Sequence, residues 1–231
     1  MSVIDSYNRK GAPWQPAGVL IPLCFKNTRK PGTPSRDEFV LQLIRRSSAV
    51  AQGGDLSGPG GMLSSRLDGI LRLPLLLGAT PVLRGFPRFR AKARGSEEFA
   101  AIGLFLANAL REAWEEIRLN PWNVEFLGPL PFRDLLLFTR TIFPVVGHVK
   151  KDTSLRPNEE VERVVEIPLV AFFKEEYYGT YRISDNANGS PSHFETPCLI
   201  WKSPEGVEDV LWGVTLQIVM DFLAIVFDFK P

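Results

Sequence analysis

The sequence predicts a layered α/β or α+β fold, and three observations carry that expectation. Strand-like runs rich in Val, Ile and Phe recur along the chain, two helical segments stand well apart among them, and no internal repeat or low-complexity stretch interrupts the pattern. Apolar residues make up 45% and charged residues 23% of the 231 positions. That is the balance of a packed globular protein, which excludes a disordered or fibrous chain. The length suits one domain with elaborations, so residues 1–231 read as a single domain.

Residues 18–26 (GVLIPLCFK) form an apolar run that reads as a buried strand. Pro31 to Ser35 break it off, and 38–45 (EFVLQLIR) give a second strand. The stretch 52–61 (QGGDLSGPGG) is so rich in glycine that an irregular loop is expected, approached closely by another group. Residues 62–96 begin with a short apolar piece (ILRLPLLLG) and continue as a basic, proline-interrupted stretch. There Arg66, Arg72, Arg84, Arg88, Arg90, Lys92 and Arg94 face a single acid, Asp68. Residues 97–118 carry acids in the first turn, alanine and leucine throughout and no internal proline, which predicts a helix closed by Pro121. Strands are expected at 123–128, 135–149 and 162–167, then a short helical or irregular segment at 168–178. A Gly/Asn/Ser/Pro loop at 184–192 precedes a last short strand, Thr196 to Trp201, and a terminal helix at about 211–227.

A net charge of +1 gives the whole molecule no strong field, so neither nucleic acid nor a membrane is an expected partner. Cys24 and Cys198 sit in apolar runs without a disulfide framework or metal spacing, and read as buried, reduced thiols. No secretory core precedes residue 18, and Gln217, Asp221 and Asp228 interrupt the terminal apolar run before it reaches bilayer length. The expected location is the cytoplasm; the oligomeric state stays open. His148 and His193 lack any metal context, and no G-x-S-x-G elbow or G-x-x-x-x-G-K loop appears. Trp114 and Trp212 offer faces for an adenine, or simply core packing.

The informative residues are Arg111, Glu112, Glu115 and Glu116. At helical spacing the three carboxylates share one face, where they repel one another unless something positive lies among them. Arg111 neutralises part of that charge. A hard divalent cation, Mg²⁺ or Mn²⁺, does so better, because carboxylate oxygens are the donors it accepts. A solvated acidic helix face is the competing reading.

The run REAWEEIRL resembles the core of the Nudix box, G-x5-E-x7-R-E-U-x-E-E-x-G-U with U aliphatic. Upstream, Gly54 to Gly61 (GDLSGPGG) resembles the G-E-V-x-F-P-G-G stretch of the coenzyme A pyrophosphatase branch, where it follows a strand ending in R-S, here Arg46-Ser47. Downstream, Phe143 to Gly147 (FPVVG), Asn158 to Val161 (NEEV), Val165 to Leu169 (VEIPL) and Leu211 to Thr215 (LWGVT) match the branch's later segments in order. The resemblance implies a Nudix-type α/β/α sandwich with a mixed sheet. It departs in three places. Gly61 and Arg111 stand 50 positions apart against 14 in the box, so a long insertion, about 62–96, lies inside it. The box's first glutamate is Gly103, with Glu97 and Glu98 the nearest acids upstream, and its late glycine is Arg118, so the following loop is not expected to need glycine's freedom.

The resemblance implies a metal-dependent enzyme that cleaves the pyrophosphate bond of a small nucleotide substrate. Glu112, Glu115 and Glu116 would hold the ion, helped by the Gly61 carbonyl, and Arg111 would orient the carboxylates. Gly60 and Gly61 would let the backbone pass close to the metal. Glu160, or its neighbour Glu159, stands where several members place a general base; surface charge is the alternative. Arg46, Gly60, Arg88 and Arg90 are candidates for substrate phosphates, the last two if the basic insertion forms a lid and not a solvated loop. The favoured substrate is coenzyme A or acyl-coenzyme A, giving adenosine 3′,5′-bisphosphate and a phosphopantetheine. The alternatives are ADP-ribose or another nucleotide sugar, and a non-catalytic domain that binds a nucleotide.

Overall fold

In a strand, successive side chains point to opposite faces, so a continuous apolar run must be covered on both sides. The computed structural model, which describes residues 15–28, 36–50, 52–135, 139–151, 153–185 and 192–229, shows that arrangement. Strand β1 (Gln15–Thr28) runs antiparallel to β2 (Arg36–Arg46) and parallel to β7 (Arg140–Val149). Strand β5 (Val124–Pro129) adds to β7, and β8 (Val161–Pro168) to β2, both antiparallel. Short strands β3 (Leu56–Ser57), β4 (Gly60–Met62) and β6 (Arg133–Leu135) pair with β2, β1 and β7. The sheet is mixed, as expected. A separate antiparallel sheet joins β9 (Tyr178–Asp185), β10 (Ser192–Lys202) and β11 (Glu208–Trp212).

One face of the main sheet presents Leu20, Cys24, Val40, Ile44, Val145 and Val149 to helix α3 (Ser96–Ile117), which buries Ile102, Leu106, Ala109, Leu110 and Ala113 against them. The other presents Ile21, Leu23, Leu41, Leu43 and Val146 to helix α4 (Gly213–Phe227) and the small sheet. Burial of each large side chain stabilises by roughly 1.5–3 kcal/mol, so the two cores fix the layers. Both cysteines are buried. Among the described residues no helix is long and apolar enough to cross a membrane.

Several elements differ from the sequence reading. The segment 52–61, expected to be irregular, contributes β3 and part of β4. Glycine is needed for contact, since a Cβ on Gly60 would strike the Gly18 carbonyl and Val19 of β1. The basic insertion, for which a lid and a solvated loop were both open, folds as helices α1 (Leu67–Leu77) and α2 (Gly85–Lys92) packed on α3. Gly78 ends α1 in the left-handed region (φ 74°), and Ala79 N–H returns to the Pro74 carbonyl. The strand expected at 135–149 begins at Arg140, preceded by β6, and residues 136–138 lie outside the described residues. Strands β9 and β11 were not foreseen; the run at Thr196 to Trp201 belongs to β10 and is not the last strand. The breaker at Pro31 to Ser35, the centre of the 184–192 loop and the N-terminal fourteen residues fall outside the described residues.

Candidate active site

Helix α3 carries two kinds of surface. From Phe99 to Ala107 it is apolar and largely buried; its last ten residues put Asn108, Arg111, Glu112 and Glu115 on one stripe, with Glu116 beside it. Arg111 is the hub. Its Nη2 lies 2.7 Å from Glu112 Oε1, its Nη1 2.8 Å from Glu115 Oε2, and its Nε donates to Asp68 Oδ1 at 2.8 Å. Burial opposes its charge, but the Asp68 hydrogen bond and the three carboxylates outweigh that and hold the guanidinium above its ordinary range. Asp68, fully buried at the start of α1, also accepts from Ser64 N–H (2.7 Å) and Asn108 Nδ2 (3.1 Å). Asn108 in turn accepts from Gly18 N–H at 2.6 Å and donates to the Met62 carbonyl, tying α3 to β1 and β4.

The glycine strand closes on this stripe. A Cβ on Gly61 would sit 2.6 Å from the Glu112 carboxyl carbon, and Gly60 N–H donates to Glu116 Oε2 at 2.9 Å. Glu116 is 5% exposed. Burial, with repulsion from Glu112 and Glu160, pushes its carboxyl up to about 8 against the help of Gly60 N–H and Arg46. Burial raises Glu112 as well, opposed by Arg111. Glu115 is half exposed. Among the described residues no three acidic, histidine or cysteine side chains converge on one point, because Glu112 and Glu115 turn to Arg111 while Glu116 turns to Gly60.

The far side of the same glycines lines a cleft of about 300 Å³, shared with Arg46, Asp55, Ser57, Arg140, Trp212 and the first turn of α4. Arg46 caps the architecture from β2: its N–H reaches the Asp55 carbonyl and its carbonyl takes Gly54 N–H. Trp212 Nε1 donates to Asp55 Oδ1 at 3.1 Å, and burial raises the Asp55 carboxyl despite that bond. Arg140 Nε and Ser57 Oγ are buried atoms without a hydrogen-bond partner among the described residues. Glu159 and Glu160 are exposed on the turn that follows; Asn158 N–H donates to the Glu116 carbonyl and Ser47 N–H to the Glu160 carbonyl, which brings Glu160 to the Glu116 end of the helix.

The structure thus gathers Arg46, Gly60, Gly61, Arg111, Glu112, Glu115, Glu116 and Glu160 around one end of α3. It does not bring Arg88 or Arg90 there. Arg88 donates to the Leu76 carbonyl at 2.8 Å and lies over Phe99, while Arg90 lies over Phe86. Phe99 and Glu116 are 17 residues apart on one helix, about 25 Å. Sequence reasoning missed Asp68, Asn108, Asp55 and Arg140. Asp68 had a signal, as the single acid in a basic stretch, and Asn108 as a polar residue in an apolar helical run; the other two had none.

No family profile matches the chain. Curated relatives do. It is 32% identical over 130 residues to the peroxisomal coenzyme A diphosphatase NUDT7 of Mus musculus, covering 54% of this chain and 52% of that protein. It is 34% identical over 127 residues to the uncharacterized Nudix hydrolase NudL of Escherichia coli, covering 54% and 60%. The chain is similar to Nudix hydrolases over about half its length. It resembles the coenzyme A pyrophosphatase branch, and it spans between half and three-fifths of these relatives' lengths. A solved Nudix hydrolase from Alicyclobacillus acidocaldarius superposes loosely (TM-score 0.41, 11% identity, 68% of this chain and 80% of that one), too loosely to carry weight.

Two departures from the Nudix box now have physical reasons. At Gly103, where the box has its first glutamate, a Cβ would lie 2.5 Å from Leu76 Cδ2 of the inserted helix α1, so the insertion occupies the space a side chain would need. At Arg118, the expectation that no glycine-like conformation is required fails. Arg118 adopts φ 56°, and it and Leu119 return N–H groups to Trp114 and Ala113 as a left-handed helix terminus. Arginine thus holds a left-handed conformation that glycine takes at lower cost.

Proposed function

We propose that this protein hydrolyses the pyrophosphate bond of a nucleoside diphosphate derivative, with coenzyme A or an acyl-coenzyme A as the favoured substrate. The products would be adenosine 3′,5′-bisphosphate and a phosphopantetheine or its acyl form. One observation carries the reading: the box carboxylate Glu116 is buried against the N–H of Gly60, a glycine that also lines a cleft with Arg46 and Arg140, and burial and neighbouring carboxylates oppose its charge. Support for the substrate class comes from the similarity to a protein named as a coenzyme A diphosphatase.

The residues present fit a divalent cation by their chemistry. Glu112, Glu115 and Glu116 supply hard oxygen donors, and a cation would relieve the repulsion that lifts Glu116. A bound Mg²⁺ or Mn²⁺ would supply Lewis-acid activation of the diphosphate and a more acidic water. Gathering the three carboxylates requires Glu115, half exposed, to rotate away from Arg111, which Asp68 still anchors. The Nε of Arg140 and the uncapped first turn of α4 present donors to a phosphate in the cleft. Glu160 stands at the open end, where it would take a proton from water.

A second reading, a Nudix domain that binds a nucleotide without cutting it, is favoured by the filled space at Gly103 and by the divided carboxylates. Purified protein given Mg²⁺ or Mn²⁺ with coenzyme A, acetyl-coenzyme A, ADP-ribose and a dinucleoside polyphosphate, product release being followed by chromatography, separates the readings. Cleavage of coenzyme A that disappears in Glu116→Gln supports the proposal. Faster cleavage of ADP-ribose moves the substrate class, and binding of the panel with no turnover leaves the non-catalytic reading.

A further inference from the structure

A surface helix ordinarily turns its polar side outward. Helix α1 does the reverse. Its inner side carries Asp68, Arg72 and Leu75, while Leu67, Ile70, Leu71, Leu73 and Leu77 are exposed, the last at 78%. At 100° per residue those five cover one contiguous side, broken by no charge. The neighbouring α2 adds Phe86 and Phe89, 71% and 67% exposed, and Phe86 shares a shallow depression with Leu127 and Ile225. Contiguous apolar surface of this extent marks a face that something covers.

The charges around it say what. Arg66, Arg90 and Lys92 are exposed and have no carboxylate partner among the described residues. Of the acids nearby, Asp68 is fully buried under Arg111 and Glu98 is paired with Arg94 at 3.1 Å, while Glu97 is exposed and offsets part of the positive charge. A second copy of this chain would set cations against cations. Nucleic acid would match the arginines and leave the leucines in water. An anionic lipid surface satisfies both, taking leucine and phenylalanine into the acyl boundary and arginine and lysine to the headgroups.

We propose that the inserted α1–α2 hairpin docks this protein peripherally on an anionic lipid bilayer. The expectation that no membrane is a partner rested on the net charge of +1, which averages a local basic, apolar patch over an otherwise neutral molecule. The proposal does not depend on the hydrolytic reading, since Leu77, Phe86, Arg90 and Lys92, the positions its test changes, lie in the part of the hairpin that packs near Phe99 and Gly103 and not near Glu116.

Co-sedimentation of the full chain with phosphatidylcholine vesicles, with and without about three parts in ten phosphatidylglycerol, tests it. Binding to the anionic vesicles at least tenfold above the neutral ones, reduced tenfold or more by about 0.5 M salt, is expected. The double variant Leu77→Asp/Phe86→Asp, at positions already in water, should abolish it while keeping the wild-type melting temperature and elution volume. Arg90→Glu/Lys92→Glu should weaken it with the apolar face intact. Failure of the wild type to sediment with either vesicle overturns the proposal. So does a dimer that Leu77→Asp dissociates, which assigns the face to a second copy, and so does tight binding to a single-stranded RNA oligonucleotide with none to vesicles.

Discussion

Among the described residues two aspartates are wholly buried, and they are held differently. Asp68 accepts from Ser64 N–H, Asn108 and two nitrogens of Arg111, so both of its oxygens are satisfied, and the arginine it anchors goes on to hold Glu112 and Glu115. Asp209, on β11, takes Arg45 at 3.0 Å and Arg163 at 2.6 Å through the single oxygen Oδ1, and leaves Oδ2 without a partner. Those arginines stand on β2 and β8, so Asp209 fastens the small sheet to the large one. The same residue type serves positioning in one place and assembly in the other. What differs is whether the arginine partner has further carboxylates to orient.

That contrast is broken or sharpened by measurement. The largest effect is expected beside the carboxylates that Arg111 holds: Glu116→Gln should lower coenzyme A hydrolysis by about a thousandfold with the fold intact by circular dichroism, the scale of losing a charged group that acts on the transition state. Asp68→Asn should cost about 10- to 100-fold in kcat, as loss of a ligand-orienting partner does, with smaller change in KM. Undiminished kcat would mean that Glu112 and Glu115 need no anchored Arg111. Asp209→Ala should do the opposite. It strands two partly exposed arginines and should destabilise by about 2 kcal/mol in urea unfolding, at the low end for a buried pair because both cations keep some solvent, with activity at low temperature preserved.

A pH series separates burial from chemistry. Glu116 titrates near 8 when folded against 4.5 in the unfolded chain, so between those values the folded protein holds a proton that the unfolded chain has released. The metal-free protein should lose stability as pH rises through this window, the contribution being complete below 4.5 and gone above about 8. Melting temperatures in chelator should fall more steeply for wild type than for Glu116→Gln, and parallel slopes would show that the carboxyl is already ionised. The smallest effect is expected at Arg118→Gly, which relieves a left-handed arginine and should stabilise by about 1 kcal/mol in the same urea assay.

How much of the site was legible follows from distance along the chain. Arg111, Glu112, Glu115 and Glu116 lie within two helical turns, so their shared face is visible from spacing alone, and the Nudix box adds the glycines that approach them. Asp68 and Asn108 are 40 positions apart, and Asp55 and Trp212 are 157 apart; no local pattern announces such pairs. Arg88 and Arg90 looked like phosphate ligands because composition reports charge without place.

By itself the sequence determined the layered α/β class, the apolar strands, the α3 helix and the acidic stripe at its end, because each follows from periodicity over a few turns or from side-chain chemistry at fixed spacing. Only the tertiary structure decided that the insertion is helical, that it fills the space at Gly103, that Asp68 anchors Arg111, and that α1 turns its leucines to solvent. Those outcomes depend on which surfaces meet, and packing between residues far apart in the chain sets that.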